Sequence, residues 1–184
     1  MQGLTGHRSP YGTPRSVFDR EYTSGGSSSG SAVSVAAKLV SFSIGSDTAG
    51  SIRLPAVYNG LIGLKPTMYS VSTRGVVPAS KTADCVSVLA TTVGDARTAL
   101  EVIRWYDEED TLARPYSVFD HLPSWPDTIR FGIPPAKLLA KLSEPYARVW
   151  EQVLSDLRAP ESSMNETAFD YSPFEDANAI MYGS

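Results

Sequence analysis

The chain has very little cysteine and histidine, side chains on which thiol redox chemistry and most zinc sites depend. Cys85 is its one cysteine, and His7 and His121 are its two histidines, among 184 residues. A lone cysteine excludes an internal disulfide and fits a reducing compartment. Neither histidine has a companion at metal-ligand spacing, so no metal and no cofactor is expected. Positive charge is scarce as well: 16 Lys and Arg against 20 Asp and Glu give a formal charge of −4, which leaves no basic footprint for nucleic acid. No apolar run approaches the ~20 residues that a bilayer span needs. Met1-Gln2-Gly3-Leu4 lacks the charged and apolar regions of a signal peptide, so a cytoplasmic location is the expectation. Glycine-rich loops occur without a following Gly-Lys-[Ser/Thr], which sets a phosphate-binding P-loop aside. Lysine is confined to Lys38, Lys65, Lys81, Lys137 and Lys141.

What is present is concentrated between Ser24 and Thr67. Two clusters, Gly25-Gly26-Ser27-Ser28-Ser29-Gly30 and Gly45-Ser46-Asp47-Thr48-Ala49-Gly50-Ser51, flank an apolar run without glycine or proline. Each polar loop adjoins a segment able to bury itself, unlike a flexible Gly/Ser linker. Ala32 to Val40 suit a small-residue helix, Phe42-Ser43-Ile44 a short strand, and Leu61-Ile62-Gly63-Leu64 another ending at Pro66. This order brings both glycine-rich loops to one end of a sheet, where backbone N–H groups can face an anionic or oxyanionic centre.

At these residues the chain resembles the amidase signature family, serine hydrolases that cleave amide bonds with a Ser-Ser-Lys triad. The resemblance implies an α/β fold, a mixed β-sheet flanked by helices. It implies Ser27 as the bridging serine that follows a cis peptide, and Ser51 as the nucleophile of the G-[ST]-D-x-[AG]-G-S loop. Their separation, 51 − 27 = 24, is that of the family pattern. Backbone N–H groups of Thr48, Ala49, Gly50 and Ser51 would form the oxyanion hole, with Asp47, Arg53 and Ser28 shaping the loops. Within the family, Gly6-His7-Arg8-Ser9-Pro10-Tyr11-Gly12 and Tyr22-Thr23-Ser24-Gly25-Gly26 look most like allophanate hydrolases. Those enzymes release ammonia and carbon dioxide in urea degradation. The likeness implies a small amide substrate, allophanate, with Tyr182 as a substrate-binding residue. It also implies a homodimer and a functional link to a biotin-dependent urea carboxylase. The family's catalytic lysine lies far upstream of the bridging serine, and no lysine precedes Ser27 here. The chain therefore reads as a fragment covering the middle of a family member, inactive by itself.

The remaining sequence reads as one partial amidase domain, with 1–23 a loop-rich lead-in and 24–67 the signature core. Tyr69–Ser72 and Gly75–Val77 suggest short strands about a turn at Thr73-Arg74. Thr92 can cap a helix whose stripe is Ala96, Ala99, Leu100 and Ile103, ending near Trp105-Tyr106. Asp107-Glu108-Glu109-Asp110 reads as a solvated run. Residues 114–135 form a proline-rich link with room for a strand at Thr128–Gly132, and 143–184 a helical part. Ser143 and Pro145 open an amphipathic helix whose face of Tyr146, Val149, Trp150, Val153, Leu154 and Leu157 should be buried. Ala159–Thr167 is too polar to suggest a paired strand, and Ser172-Pro173-Phe174-Glu175 reads as a capping box.

Other readings compete at each site. Gly26-Ser27-Ser28-Ser29-Gly30 also fits the G-x-S-x-G elbow of α/β-hydrolases, with Ser28 as nucleophile and His121 as base, although Phe18–Thr23 makes a poor preceding strand. Ser51 could simply cap a helix over Ile52–Tyr58. Arg53 could be an ion-pair partner, Cys85 a core residue, and the whole chain a non-catalytic remnant that keeps a binding surface.

Overall fold

The computed structural model describes residues 3–115, 126–159 and 163–182, with residues 181 and 182 as backbone only. Met1–His121 and Leu122–Ser184 form two compact units.

The first unit is built on β3, Val86–Ala90, a strand that the sequence pattern does not announce. It pairs antiparallel with β1, Phe42–Ser46, on one side and β2, Ile62–Leu64, on the other. Ile44 and Leu64 both stand opposite Val88 in these registers. Leu89 packs on one face against Ala32 and Val35 of helix α1 (Ser29–Ala36) and against Ile52 and Ala56, the latter in helix α2 (Arg53–Tyr58). Val88 and Ala90 pack on the opposite face against Ala96 and Ala99 of helix α3, Val93–Ile103. A strand buried on both faces reads as a continuous apolar run, and periodicity cannot distinguish a short run of that kind from a buried helical turn.

Helix α1 is shorter than its apolar residues suggest. Lys38 adopts φ 60°, the Lys38 amide donates to the Val35 carbonyl at 2.9 Å, and the Leu39 amide donates to the Ser34 carbonyl at 2.9 Å. This is a Schellman closure without its usual glycine. It leaves Leu39 and Val40 outside the helix and exposed. Helix α3 begins as expected, with the Thr92 hydroxyl accepting from the Asp95 amide at 3.1 Å, but it stops at Ile103. Residues 69–77 form turns and no strand. Their polar groups go instead to the acidic run: Ser72 and Arg74 donate to Asp107 at 2.8 and 2.9 Å, and the Thr73 amide donates to Asp110 at 2.7 Å. The run is therefore a set of anchors for a turn as well as a solvated surface.

In the second unit, β4 (Ile129–Phe131) and β5 (Met164–Glu166) pair in parallel, so the 159–167 segment does contain a paired strand. The Ile129 amide donates to the Ser163 carbonyl and the Thr167 amide to the Phe131 carbonyl, both at 2.8 Å, extending the pairing by backbone bonds that need no apolar side chains. A short helix α4, Ala136–Leu139, and the long helix α5, Glu144–Leu157, connect the two strands. The expected face of α5 is only partly covered. Leu154 is buried, whereas Tyr146 and Val149 are 60% and 61% exposed. Helix α6 spans Ser172–Tyr182. Ser172 is its first helical residue and its amide and hydroxyl both donate to Asp170, at 3.0 and 2.7 Å, while Glu175 takes Lys137 at 2.7 Å. The expected capping box is replaced by an Asp170 turn. Among the described residues, no helix is long and apolar enough to cross a membrane.

Truncating Leu89 to alanine should cost about 2–5 kcal/mol, because the side chain is fully buried between sheet and helices. Val149→Ala on the exposed face of α5 should change stability by no more than about 0.5 kcal/mol. Urea unfolding of both variants checks the contrast; comparable losses would mean that α5 is buried as its periodicity suggests.

Candidate active site

The two glycine-rich loops meet at the end of β1. The peptide bond Gly26–Ser27 is cis. The Ser28 amide donates to the Ser51 carbonyl at 3.1 Å, and the Ser28 hydroxyl donates to the Ser46 carbonyl at 3.4 Å. These two bonds join the loops directly. They need close approach at Gly45, where a Cβ would lie 2.5 Å from Ser28 Oγ and 2.9 Å from Ile52 Cδ1.

The hydroxyls of the first loop are used unequally. Ser24 donates to the Pro14 carbonyl at 3.0 Å, Ser29 to the Gly25 carbonyl at 2.6 Å, and Ser31 to the Ile44 carbonyl at 3.0 Å. With Ser28 bound to Ser46, Ser27 is the serine of residues 24–31 whose hydroxyl has no partner among the described residues. It lines a cavity of about 240 Å³ together with Gly6, Arg8 and Pro14 of the N-terminal segment. The Ser51 hydroxyl also has no partner among the described residues. It does not cap α2, which begins with Ile52 at its N-cap and no side-chain cap bond.

The second loop is closed by Asp47, which is fully buried. Its carboxylate accepts the amides of Gly50 at 2.8 Å and of Ile52 and Arg53 at 3.2 Å, and the Arg53 guanidinium through Nε at 3.1 Å and Nη2 at 3.0 Å. Burial alone would raise the Asp47 pKa, but the Arg53 guanidinium and these amides outweigh it and hold the group below the usual carboxylate range. Arg53 is thus the ion-pair partner of the loop's own carboxylate. Gly50 supports the tight path with φ +115°, a region that side chains rarely adopt.

Of the four amides expected to face an oxyanion, Gly50 is already bound to Asp47 and so is not free to receive one. The amides of Thr48 and Ser51 have no partner among the described residues. Asp84 is a residue that sequence reading missed: buried, it accepts the Thr48 hydroxyl through Oδ1, and the amides of Ala79 and Ser80 through Oδ2 at 2.8 and 3.0 Å. A carboxylate directly before the apolar run from Cys85 was its one signal.

Cys85 is core. Its thiol donates to the Pro66 carbonyl at 3.4 Å, and burial pushes its pKa up. Ser28 does not sit on a nucleophile elbow, since residues 18–22 form bends and turns, not a strand, and its hydroxyl is engaged. His121 and the side chain of Tyr182 lie outside the described residues.

The pH dependence of this loop follows from the sign of the Asp47 shift. A carboxylate that holds its proton less tightly folded than unfolded adds stability that is present above about pH 4 and is lost as acid protonates it. Asp47→Asn should therefore lower the thermal midpoint at pH 7, and the gap to the parent chain should narrow as pH falls from about 5 to below 4. A gap that stays constant across that range would show that the charge of Asp47 is not what closes the loop.

The Amidase family profile matches residues 1–183. Urea amidolyase of Saccharomyces cerevisiae is 46% identical over 133 residues, covering 72% of this chain and 7% of that protein. A mitochondrial glutamyl-tRNA(Gln) amidotransferase component of Candida albicans is 36% identical over 156 residues, covering 84% of this chain and 35% of that protein. Among solved structures, Kluyveromyces lactis allophanate hydrolase superposes with a TM-score of 0.84 at 37% identity, over 99% of this chain and 29% of that one. The chain thus spans about a third or less of the length of these relatives. With a family profile along nearly its whole length and the paired serine loops in place, the chain belongs to the amidase signature family.

Proposed function

We propose that this segment carries the nucleophile and the bridging serine of an amide hydrolase acting on allophanate, in the degradation of urea. The observation that carries the reading is the pattern of hydroxyl use. Among the described residues, Ser27 is the first-loop serine whose hydroxyl has no partner and the Ser51 hydroxyl has none either, while the Ser28 amide binds the Ser51 carbonyl at 3.1 Å. The likeness to allophanate hydrolase and urea amidolyase supports the substrate. It also supports a functional link to a urea carboxylase.

In this reading Ser51 Oγ attacks the amide carbonyl while its proton passes to Ser27, and that of Ser27 to a neutral lysine. Negative charge on the tetrahedral intermediate is met by the amides of Thr48 and Ser51, with Gly50 reserved for holding the loop. The C–N bond then breaks as Ser27 returns a proton to the leaving nitrogen, ammonia departs, and water hydrolyses the acyl-enzyme. The family resemblance puts that lysine upstream of the bridging serine, and none of Lys38, Lys65, Lys81, Lys137 and Lys141 precedes Ser27.

The test is ammonia release from allophanate by a polypeptide extended upstream as in the relatives. Ser51→Ala should reduce kcat by about 1000-fold or more. The 184-residue chain alone should release none. Activity that survives Ser51→Ala but is lost in Ser28→Ala would reject the assignment, and Ser51-dependent turnover by the short chain would place the base within it. A folded, extended polypeptide that hydrolyses no amide would favour a non-catalytic remnant.

A further inference from the structure

We infer that Asp84 is a positioning residue for the oxyanion loop, acting through the Thr48 side chain; the inference rests on the amide-hydrolase reading above. The Asp84 carboxylate is 4% exposed and has no ion-pair partner among the described residues. Three neutral donors satisfy it instead. The amides of Ala79 and Ser80 take Oδ2, and the Thr48 hydroxyl takes Oδ1. Two of these donors come from the turn that precedes β3, which is itself closed by the Ala83 and Asp84 amides donating to the Ser80 carbonyl at 3.0 and 2.8 Å. The third donor belongs to the loop whose amides are to receive the oxyanion.

The next residue completes the attachment. The Cys85 carbonyl accepts the Asp47 amide at 2.8 Å, so consecutive residues at the head of β3 hold consecutive residues of the loop. Asp47 closes the far half of the loop, Gly50 to Arg53, and leaves Thr48 to be fixed by something else. Asp84 does this. An amide donor contributes to catalysis only when it points at the position where charge develops, so a small rotation about Thr48 weakens transition-state binding more than ground-state binding. Asparagine is a weaker substitute: with its oxygen on the two amides its NH2 group can only donate to Thr48 Oγ1, so the hydroxyl's charge-assisted bond to a carboxylate is lost.

The experiment uses the extended polypeptide for kinetics and the 184-residue chain for amide NMR. Asp84→Asn and Thr48→Val should each lower kcat by about tenfold to 100-fold, with KM changed by less than about threefold. The double variant should be no slower than the poorer single one, because both changes break the same bond. Multiplicative losses, a change confined to KM, or unchanged kcat would overturn the inference. Thr48→Val leaves Asp84 in place and so answers the question if Asp84→Asn does not fold. In the 184-residue chain, Asp84→Asn should shift the Thr48 amide resonance, and a resonance that ignores the substitution would also overturn it. If the extended parent proves inactive, the hydrolase reading fails by itself and this NMR arm still decides whether Asp84 holds Thr48.

Discussion

The carboxylate of Asp47 is the point about which the 47–53 segment turns, and much of the site follows from its burial. Removing a charge from water costs several kcal/mol unless donors fill its lone pairs. Here three amides and one guanidinium fill them. Opening the loop would strand that charge, so the closed conformation is enforced by the penalty for leaving it. The same bonds have a chemical consequence. The Asp47 carboxylate thereby commits the amides of Gly50, Ile52 and Arg53 to the loop's shape, whereas those of Thr48 and Ser51 have no partner among the described residues.

A loop held this way is only as well placed as the element it hangs from. That element is β3, buried on both faces and paired on both edges, with Leu89 turned to one helical layer and Val88 and Ala90 to the other. Its leading residues, Asp84 and Cys85, bind Thr48 and Asp47 respectively. Rigid support behind a set of donors is what keeps them aimed without reorganisation during reaction. A largely apolar strand thus positions the polar loop.

The sequence made the loops and the amphipathic helices readable but concealed the strand between them. Helix α3 shows a cap at Thr92 and a stripe of Ala96, Ala99, Leu100 and Ile103, signals that are local and so survive without tertiary context. Strand β3 has only five apolar or small residues, and its identity comes from two partners more than 20 residues upstream. The extent of α1 was obscured for a related reason: Lys38 takes the left-handed conformation that glycine normally marks, so no residue announced the stop. Periodicity located α5 correctly but could not say what covers its face, because a pattern records which side is apolar and not whether anything packs there. At the site, Ser27 and Ser51 stood out through their match to the motifs and spacing of the family pattern, whereas Asp84 did not, since its partners are a turn just before it and a threonine 36 positions away.

Serine is abundant enough in this chain that its presence near a glycine loop says little, and hydroxyl bonding is the better discriminator. A hydroxyl that already donates to a backbone carbonyl must give up that bond, worth about 1 kcal/mol, before it can pass its proton to a base. Ser24, Ser28, Ser29 and Ser31 are all committed in this way, and each such bond fixes a neighbouring backbone segment. Ser27 stands in the middle of that set with no such bond among the described residues, beside a cavity and one residue from the amide that binds Ser51. The surrounding serines therefore hold the backbone on either side of Ser27. That division of labour separates the Ser27–Ser51 assignment from an elbow centred on Ser28, whose hydroxyl is one of those already engaged in holding the loops together.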